Sequence, residues 1–268
     1  MAKTSSGDKL SVSIPWPFAP KTVRCNTDTS LLKIVAMITM LIDHAGKMLF
    51  PQYFIMRIIG RIAFPIYAYC MATGCVFTKK PARYLSRLVL LALVTQPLYS
   101  VAMGYATNAM MSLPFAEHPL SSAWQFYVAS WGHPSILLAL SLGMILIWTL
   151  REKRISLALG VFLLCWIIQN KLDYGIKGIL LMLLFYVFCG PPLISFPAVA
   201  AYMIWWGTIA GSRYSLFGIT FGVQMFAIFA LPLIYIPMHT GLKIPKWVFY
   251  LYYPAHLLLI LLLDTYVI

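Results

Sequence analysis

From residue 31 onward the chain is a succession of long apolar runs separated by short polar links. Leu, Ile, Val, Ala and Phe fill each run without the strict apolar–polar alternation of a barrel strand, so the pattern predicts helices. A helix needs about 20 mostly apolar residues to cross a bilayer. Reading on that scale predicts nine spans, near 31–50, 55–77, 84–103, 133–150, 155–170, 176–190, 193–211, 215–236 and 247–266. The fifth and sixth are short. The longest polar stretches are 1–30 and the link 104–132. The organisation expected is an N-terminal cytoplasmic segment, 1–30, followed by one transmembrane domain, 31–268. The fold class is all-α, a polytopic helical bundle. The first 30 residues do not resemble a cleaved leader: the stretch before the first apolar run is long, and no small-x-small site follows that run. Pro15, Pro17 and Pro20 suggest that it is extended or interfacial.

Composition agrees with the pattern. Of 268 residues, 61% are hydrophobic and only 10% charged, against about 25% charged in a soluble domain. The formal net charge is +13, which by itself would suit a nucleic-acid partner. The placement of the basic residues argues otherwise. Lys3, Lys9, Lys21 and Arg24 precede the first span. Lys79, Lys80, Arg83 and Arg87 lie around the second link, Arg151, Lys153 and Arg154 follow the fourth span, and Lys243 and Lys246 precede the ninth. With nine spans these all fall on one side, and 104–132, without Lys or Arg, falls on the other. The positive-inside rule then predicts a cytoplasmic N-terminus and no nucleic-acid role. Cys70, Cys75, Cys165 and Cys189 sit in apolar runs and Cys25 before them, in no spacing that suggests a metal.

Ionisable groups inside spans are costly and usually functional. The first span holds Lys33, Asp43 and His44; the second opens with Arg57 and Arg61, one turn apart on one face. Asp173, Tyr174 and Lys177 follow the fifth span, and His256 lies in the ninth. The predicted topology brings Asp43, His44, Arg57, Arg61, Asp173 and His256 to overlapping depths. Lys33 and His44 are eleven residues apart, so they share a helix face about 16 Å apart along the axis. That vector suits a long ligand with an anionic head and a reactive tail, the shape of a coenzyme A thioester. Asp43 and His44 point about 100° apart, so Asp43 is expected to pair with Arg57 or Arg61 rather than to orient His44. Pro65 and Pro254 are expected to kink helices beside the site. His118, His133 and His239 read as ordinary loop or span-end residues.

The segments LLKIVAMITMLIDHAG (31–46), IIGRIAFPIYAY (58–69), RYLSRLVLLALVTQP (83–97), DYGIKGILLMLLFY (173–186) and FYLYYPAHLLLI (249–260) together resemble the TraX family over roughly residues 31–265. The resemblance implies acetylation of the N-terminal amine of a conjugative pilin, in the bacterial inner membrane, with acetyl-CoA as donor. The wider group of multi-span acyltransferases is similar in carrying a basic residue and a histidine with ten residues between them on the first helix, which points to Lys33 and His44. Where relatives often carry an Asn near the start of the fourth span, this chain has Pro134 and Ser135.

The expected roles follow. His44, Asp43, Arg61 and His256 carry the chemistry, with His44 as general base or acetyl carrier. Lys33, Arg57 and Arg87 hold the donor, acetyl-CoA. Asp173, Tyr174 and Tyr253 meet the acceptor, a pilin subunit. Two alternatives stay open: an O-acyltransferase for an envelope glycan or lipid, and a proton-coupled transporter using the same buried groups as a relay.

Overall fold

A computed structural model describes residues 18, 22–190, 192–209, 213–216 and 219–266. Most of the predicted N-terminal segment, with Lys3, Lys9 and Lys21, lies outside the described residues. Among the described residues the regular structure is helical apart from one hairpin: α1 (Thr29–Met48), α2 (Phe54–Gly60), α3 (Ala63–Phe77), α4 (Pro81–Ala102), α5 (Thr107–Ser112), α6 (Pro119–Ser130), α7 (Ile136–Arg151), α8 (Ile155–Ile167), α9 (Gly175–Val187), α10 (Pro192–Ile209), β1 (Arg213–Leu216), β2 (Ile219–Gly222), a 3₁₀ helix (Val223–Ala230), α11 (Leu231–Tyr235) and α12 (Lys246–Tyr266). Among the described residues five helical stretches are long and apolar enough to cross a membrane: α1, α2 with α3, α4, α10 and α12. With the shorter apolar helices α7, α8 and α9 they make a multi-pass membrane protein.

Side-chain ties show how the elements run. α12 lies parallel to α1: the Lys33 ammonium stands over the Phe249 ring, the Tyr252 hydroxyl donates to the Met37 carbonyl, and His256 meets His44. α2 runs back along α1, with Met56 against Gly46 and Gly60 against Asp43. α3 continues to the start of α1, where the Tyr69 hydroxyl donates to the Asn26 carbonyl. At that same end the Asn26 amide holds the Leu233 carbonyl, Asp28 caps α1 and binds Thr240, and Arg151 donates to the carbonyls of Cys75 and Thr78. The loops carrying Arg24, Lys79, Lys80 and Arg151 therefore gather at one end, as their alternation predicts. Gln96 clamps the other end: its amide donates to the Ser130 and His133 carbonyls and accepts from the Ser135 N–H.

Two expectations need correction. The eighth predicted span, 215–236, is not an α-helix. It is the β1–β2 hairpin, then eight residues of 3₁₀ helix, then one α-turn. Hydropathy measures how apolar a segment is, and this one is apolar enough. It does not measure whether an α-helix fits. Here Gly222 packs so tightly on the Gly207 carbonyl that a Cβ would overlap it, and an extended chain makes that approach. The segment still traverses the bundle, from the level of Gln224 beside the arginines to Leu233 and Ile234 beside Asn26. The second correction is that the 104–132 link contains two short helices, α5 and α6.

The second span breaks as the prolines suggest. Pro65 lacks an N–H, and its ring crowds the carbonyl four residues back, on Arg61. The backbone turns there, with the N–H groups of Arg61 and Ile62 reaching only three residues back, to Ile58 and Ile59. Pro254 sits inside an unbroken α12.

Candidate functional site

The break at Arg61 sets the site. Gly60 leaves room for the Asp43 side chain, which a Cβ would strike at 2.2 Å. Asp43 is consequently flanked by two cations, Arg57 on α2 and Arg61 at the break. Arg57 Nη1 lies 2.8 Å from Asp43 Oδ2 and also donates to the Asp43 carbonyl at 3.0 Å. Arg61 Nη2 lies 2.7 Å from Oδ1, and its Nε reaches the Arg57 carbonyl. Asp43 is only 8% exposed. A carboxylate buried there needs such partners, and the sequence expectation of one arginine is met by two.

His44, one residue on, turns to α12. Its Nδ1 lies 3.0 Å from Nε2 of His256, which is 2% exposed. His256 Nδ1 lies 3.0 Å from the Tyr252 carbonyl. A carbonyl only accepts, so His256 Nδ1 carries the proton. In the neutral ring His256 Nε2 is then an acceptor, and His44 Nδ1 must donate to it. The relay ends on His44 Nε2, left as a free lone pair. Asp43 plays no part in it, as the 100° divergence predicts.

Tyr174 closes the other side. It lies in the link between α8 and α9 with a positive φ of 60°. Its ring stacks on Phe64 at 4.2 Å between centroids, and the Arg61 guanidinium lies 5.8 Å from it. Gly178 makes this possible, because a Cβ there would meet both Phe64 and Tyr174 at about 3 Å. The YGIKG segment thus folds an aromatic slab against the arginine. Asp173, outside the spans in the same link, has its carboxyl raised to about 6 by burial, with the Arg61 guanidinium opposing.

These residues wall two cavities. The first, about 100 Å³, is lined by Asp43, His44, Lys47, Arg57, Arg61 and Asp173 among others. The second, about 410 Å³, lies beyond the shared wall of Arg57, Arg61, Asp173 and Tyr174, and adds Lys177, Gln169, Asn170 and Gln224.

The chain belongs to the TraX family. The family model, TraX protein, matches residues 28–264. Among curated relatives, an uncharacterised protein of Rickettsia prowazekii is 32% identical over 146 residues, 53% of this chain and 56% of that protein. A probable fimbrial assembly protein of Dichelobacter nodosus, serogroup H1, is 29% identical over 73 residues, 26% of this chain and 30% of that one. The chain thus spans about half or less of the length of these relatives. No solved structure matches.

Four of the five segments that carried the TraX resemblance build the site, and RYLSRLVLLALVTQP lines neither cavity. IDH supplies Asp43 and His44, GRxAFP the clearance, Arg61 and Phe64, YGIxG the slab, and YxxHL the His256 of the relay. Of the sequence-predicted residues, Asp43, His44, Arg57, Arg61, Asp173 and Tyr174 meet at the cavities, and His256 meets His44. Tyr253 lies edge-on to His256 and lines neither cavity; its buried hydroxyl approaches that of Ser135 without an aligned hydrogen bond. Lys33 stands over Phe249 toward the opposite end of α1, and Arg87 is exposed on α4; neither lines either of these two cavities. Sequence reasoning missed Lys47, which lines the smaller cavity with its ammonium 3.9 Å from the Tyr105 ring centre. Its spacing of three residues from His44 puts it on nearly the same face, a signal that was there. Tyr105 itself arrives from an irregular link and carried none. His133, read as an ordinary loop residue, stacks on Tyr105.

Proposed function

We propose that the chain is a membrane-embedded acetyltransferase that moves an acetyl group from acetyl-CoA to the N-terminal amine of a conjugative pilin subunit, in the bacterial inner membrane with its basic end in the cytoplasm. The observation that carries the reading is the relay from the Tyr252 carbonyl through His256 to His44. It presents the free lone pair of His44 Nε2 in a cavity of acetyl size.

In this reaction the amine nitrogen attacks the thioester carbonyl while its proton passes to His44 Nε2. The new C–N bond forms, the carbonyl oxygen becomes an oxyanion, and the C–S bond then breaks. The proton returns to the departing CoA sulfur. His256 Nε2 accepts from His44 Nδ1 throughout and stabilises the imidazolium, the place a carboxylate takes in a serine-protease triad. A neutral partner suits an apolar setting, where a second unpaired carboxylate would be costly. Arg61 and Arg57, fixed by Asp43, are the donors for the oxyanion. Lys33, toward the basic end, and Arg87 on α4 are the cations for the donor's phosphates, and Tyr253 is a contact on the acceptor side.

TraX membership supports the acetylation reading, and the name of the Dichelobacter relative supports a pilus setting. A hydroxyl acceptor on an envelope glycan or lipid would use the same base. The test is the intact mass of pilin from cells carrying His44→Ala. Loss of the acetyl group at normal expression is expected, with a fall in rate of about 10²–10⁴. Full acetylation by that variant would remove His44 from the mechanism, and an unmodified pilin beside an acetylated envelope sugar in the wild type would move the acceptor to the glycan.

A further inference from the structure

We propose that the larger cavity is an oxyanion-binding chamber, built to hold a phosphate-bearing group beside the reaction cavity. The inference rests on the reading of the His44 cavity as the reaction site, but not on pilin as the acceptor.

Three kinds of donor converge on this chamber. The first is the N-terminus of α9. Gly175, Ile176 and Lys177, its first three residues, line the cavity, and no side chain caps the helix. The Gly175 N–H is taken by the Leu172 carbonyl, but those of Ile176 and Lys177 have no partner within the helix, and the helix dipole places partial positive charge there. The 13 residues of α9 are long enough for that field to develop. The second is a set of cations: Lys177 and Arg57 with Arg61. Two carboxylates face them, Asp43 bound to both arginines and Asp173 in the wall, so positive charge remains in excess. The third is the amide of Gln224. It is 5% exposed, its Nε2 is fully buried, and that nitrogen has no hydrogen-bond partner among the described residues. A buried amide without a partner is costly, and Gln224 lines this chamber. Its N–H groups need an acceptor.

Helix N–H groups, cations and an unpartnered amide are all donors. The matching ligand is rich in acceptor oxygens and negative, which is the chemistry of a phosphate. A free amine would meet repulsion from the same groups. The chamber's volume, about 410 Å³, falls in the range of small-molecule sites. Two sources carry such a phosphate, the acyl donor and the headgroup of an anionic lipid, and the shared wall at Arg57 and Arg61 puts either beside His44.

The test uses the full chain, purified in detergent or in nanodiscs, with thermal unfolding as the readout. The probes are coenzyme A, inorganic phosphate, and phosphatidylglycerol against phosphatidylcholine. Saturable stabilisation by coenzyme A alone assigns the donor's phosphates to the chamber in place of Lys33 and Arg87, and stabilisation by phosphatidylglycerol over phosphatidylcholine assigns a lipid headgroup; either supports the chamber. Lys177→Gln and Gln224→Leu should each raise the half-saturating concentration about tenfold, while His44→Ala leaves it unchanged. Stabilisation by none of the phosphate probes, or the same half-saturation in both variants as in the wild type, overturns the proposal. Acetylation is scored separately, so failure of the acetyltransferase reading leaves this binding result standing.

Discussion

The two cavities share a wall and differ in almost everything else. The smaller holds a histidine whose partner is another histidine, and space for an acetyl group or a few waters. The larger holds side-chain amides, a lysine and a helix N-terminus, in about four times the volume. In the smaller the polar groups are paired with one another: Asp43 with Arg57 and Arg61, His44 with His256. In the larger one donor, Gln224 Nε2, has no partner among the described residues. Paired groups are held in place for chemistry that needs fixed geometry, and unpaired donors wait for a ligand. The wall of Arg57, Arg61, Asp173 and Tyr174 belongs to both, so a charge change in it reaches both cavities, whereas a change on one side should not.

Asp43→Leu tests the shared wall most severely. It leaves two buried guanidiniums without their carboxylate, a loss of about 3–5 kcal/mol by analogy with other buried pairs. Unfolding in detergent should show that loss, with both acetylation and phosphate binding gone. Retention of either at wild-type stability would mean the wall is not shared. His256→Ala tests separation. Without His256 Nε2, His44 Nδ1–H loses its acceptor and the tautomer of His44 is no longer set. Acetylation should fall about 10²-fold or more, while half-saturation by coenzyme A or phosphatidylglycerol stays within a factor of two. A matched loss of both would join the cavities into one functional unit. Gly178→Ala is milder. The added methyl meets Phe64 and Tyr174 at about 3 Å, so the slab must shift. Overpacking of this kind costs about 1–3 kcal/mol, read as a lower unfolding midpoint.

Much of this wall was legible in the sequence because lipid makes charge conspicuous. Asp43, His44, Arg57, Arg61 and His256 stand out against apolar neighbours, and helical spacing alone separates Asp43 from His44. The depth argument that grouped them with Asp173 holds in the structure. Three things were not legible. Lys33 shares a face with His44, but a face has no depth, and the cavity stops short of it. The 215–236 run is apolar enough for a span, yet hydropathy does not tell a 3₁₀ helix and a hairpin from an α-helix. Gln224 is one amide in an apolar stretch, and only its missing partner gives it meaning. That is a property of the packed chain and not of the residue type.

Asp173 offers the smallest and most discriminating change. Its carboxyl, raised by burial to about 6, is ionised above that pH and neutral below it. In the ionised form it opposes an anion in either cavity. Protonation removes that charge and leaves the arginines and Lys177 less compensated. Anion binding should therefore tighten as pH falls through about 6, by a few-fold, when measured with sulfate, whose own charge is constant there. The folded protein follows the same sign. A carboxyl whose pKa is higher folded than unfolded stabilises the fold most below its unfolded pKa, and that contribution is lost as pH rises through about 6. Asp173→Asn fixes the neutral state, so it should bind sulfate at pH 7.5 as the wild type does at pH 5 and show little pH dependence between. If the variant keeps the wild-type pH profile, the charge that governs the wall lies elsewhere, and the division between a paired reaction cavity and a donor-lined holding chamber would have to be redrawn without Asp173 in it.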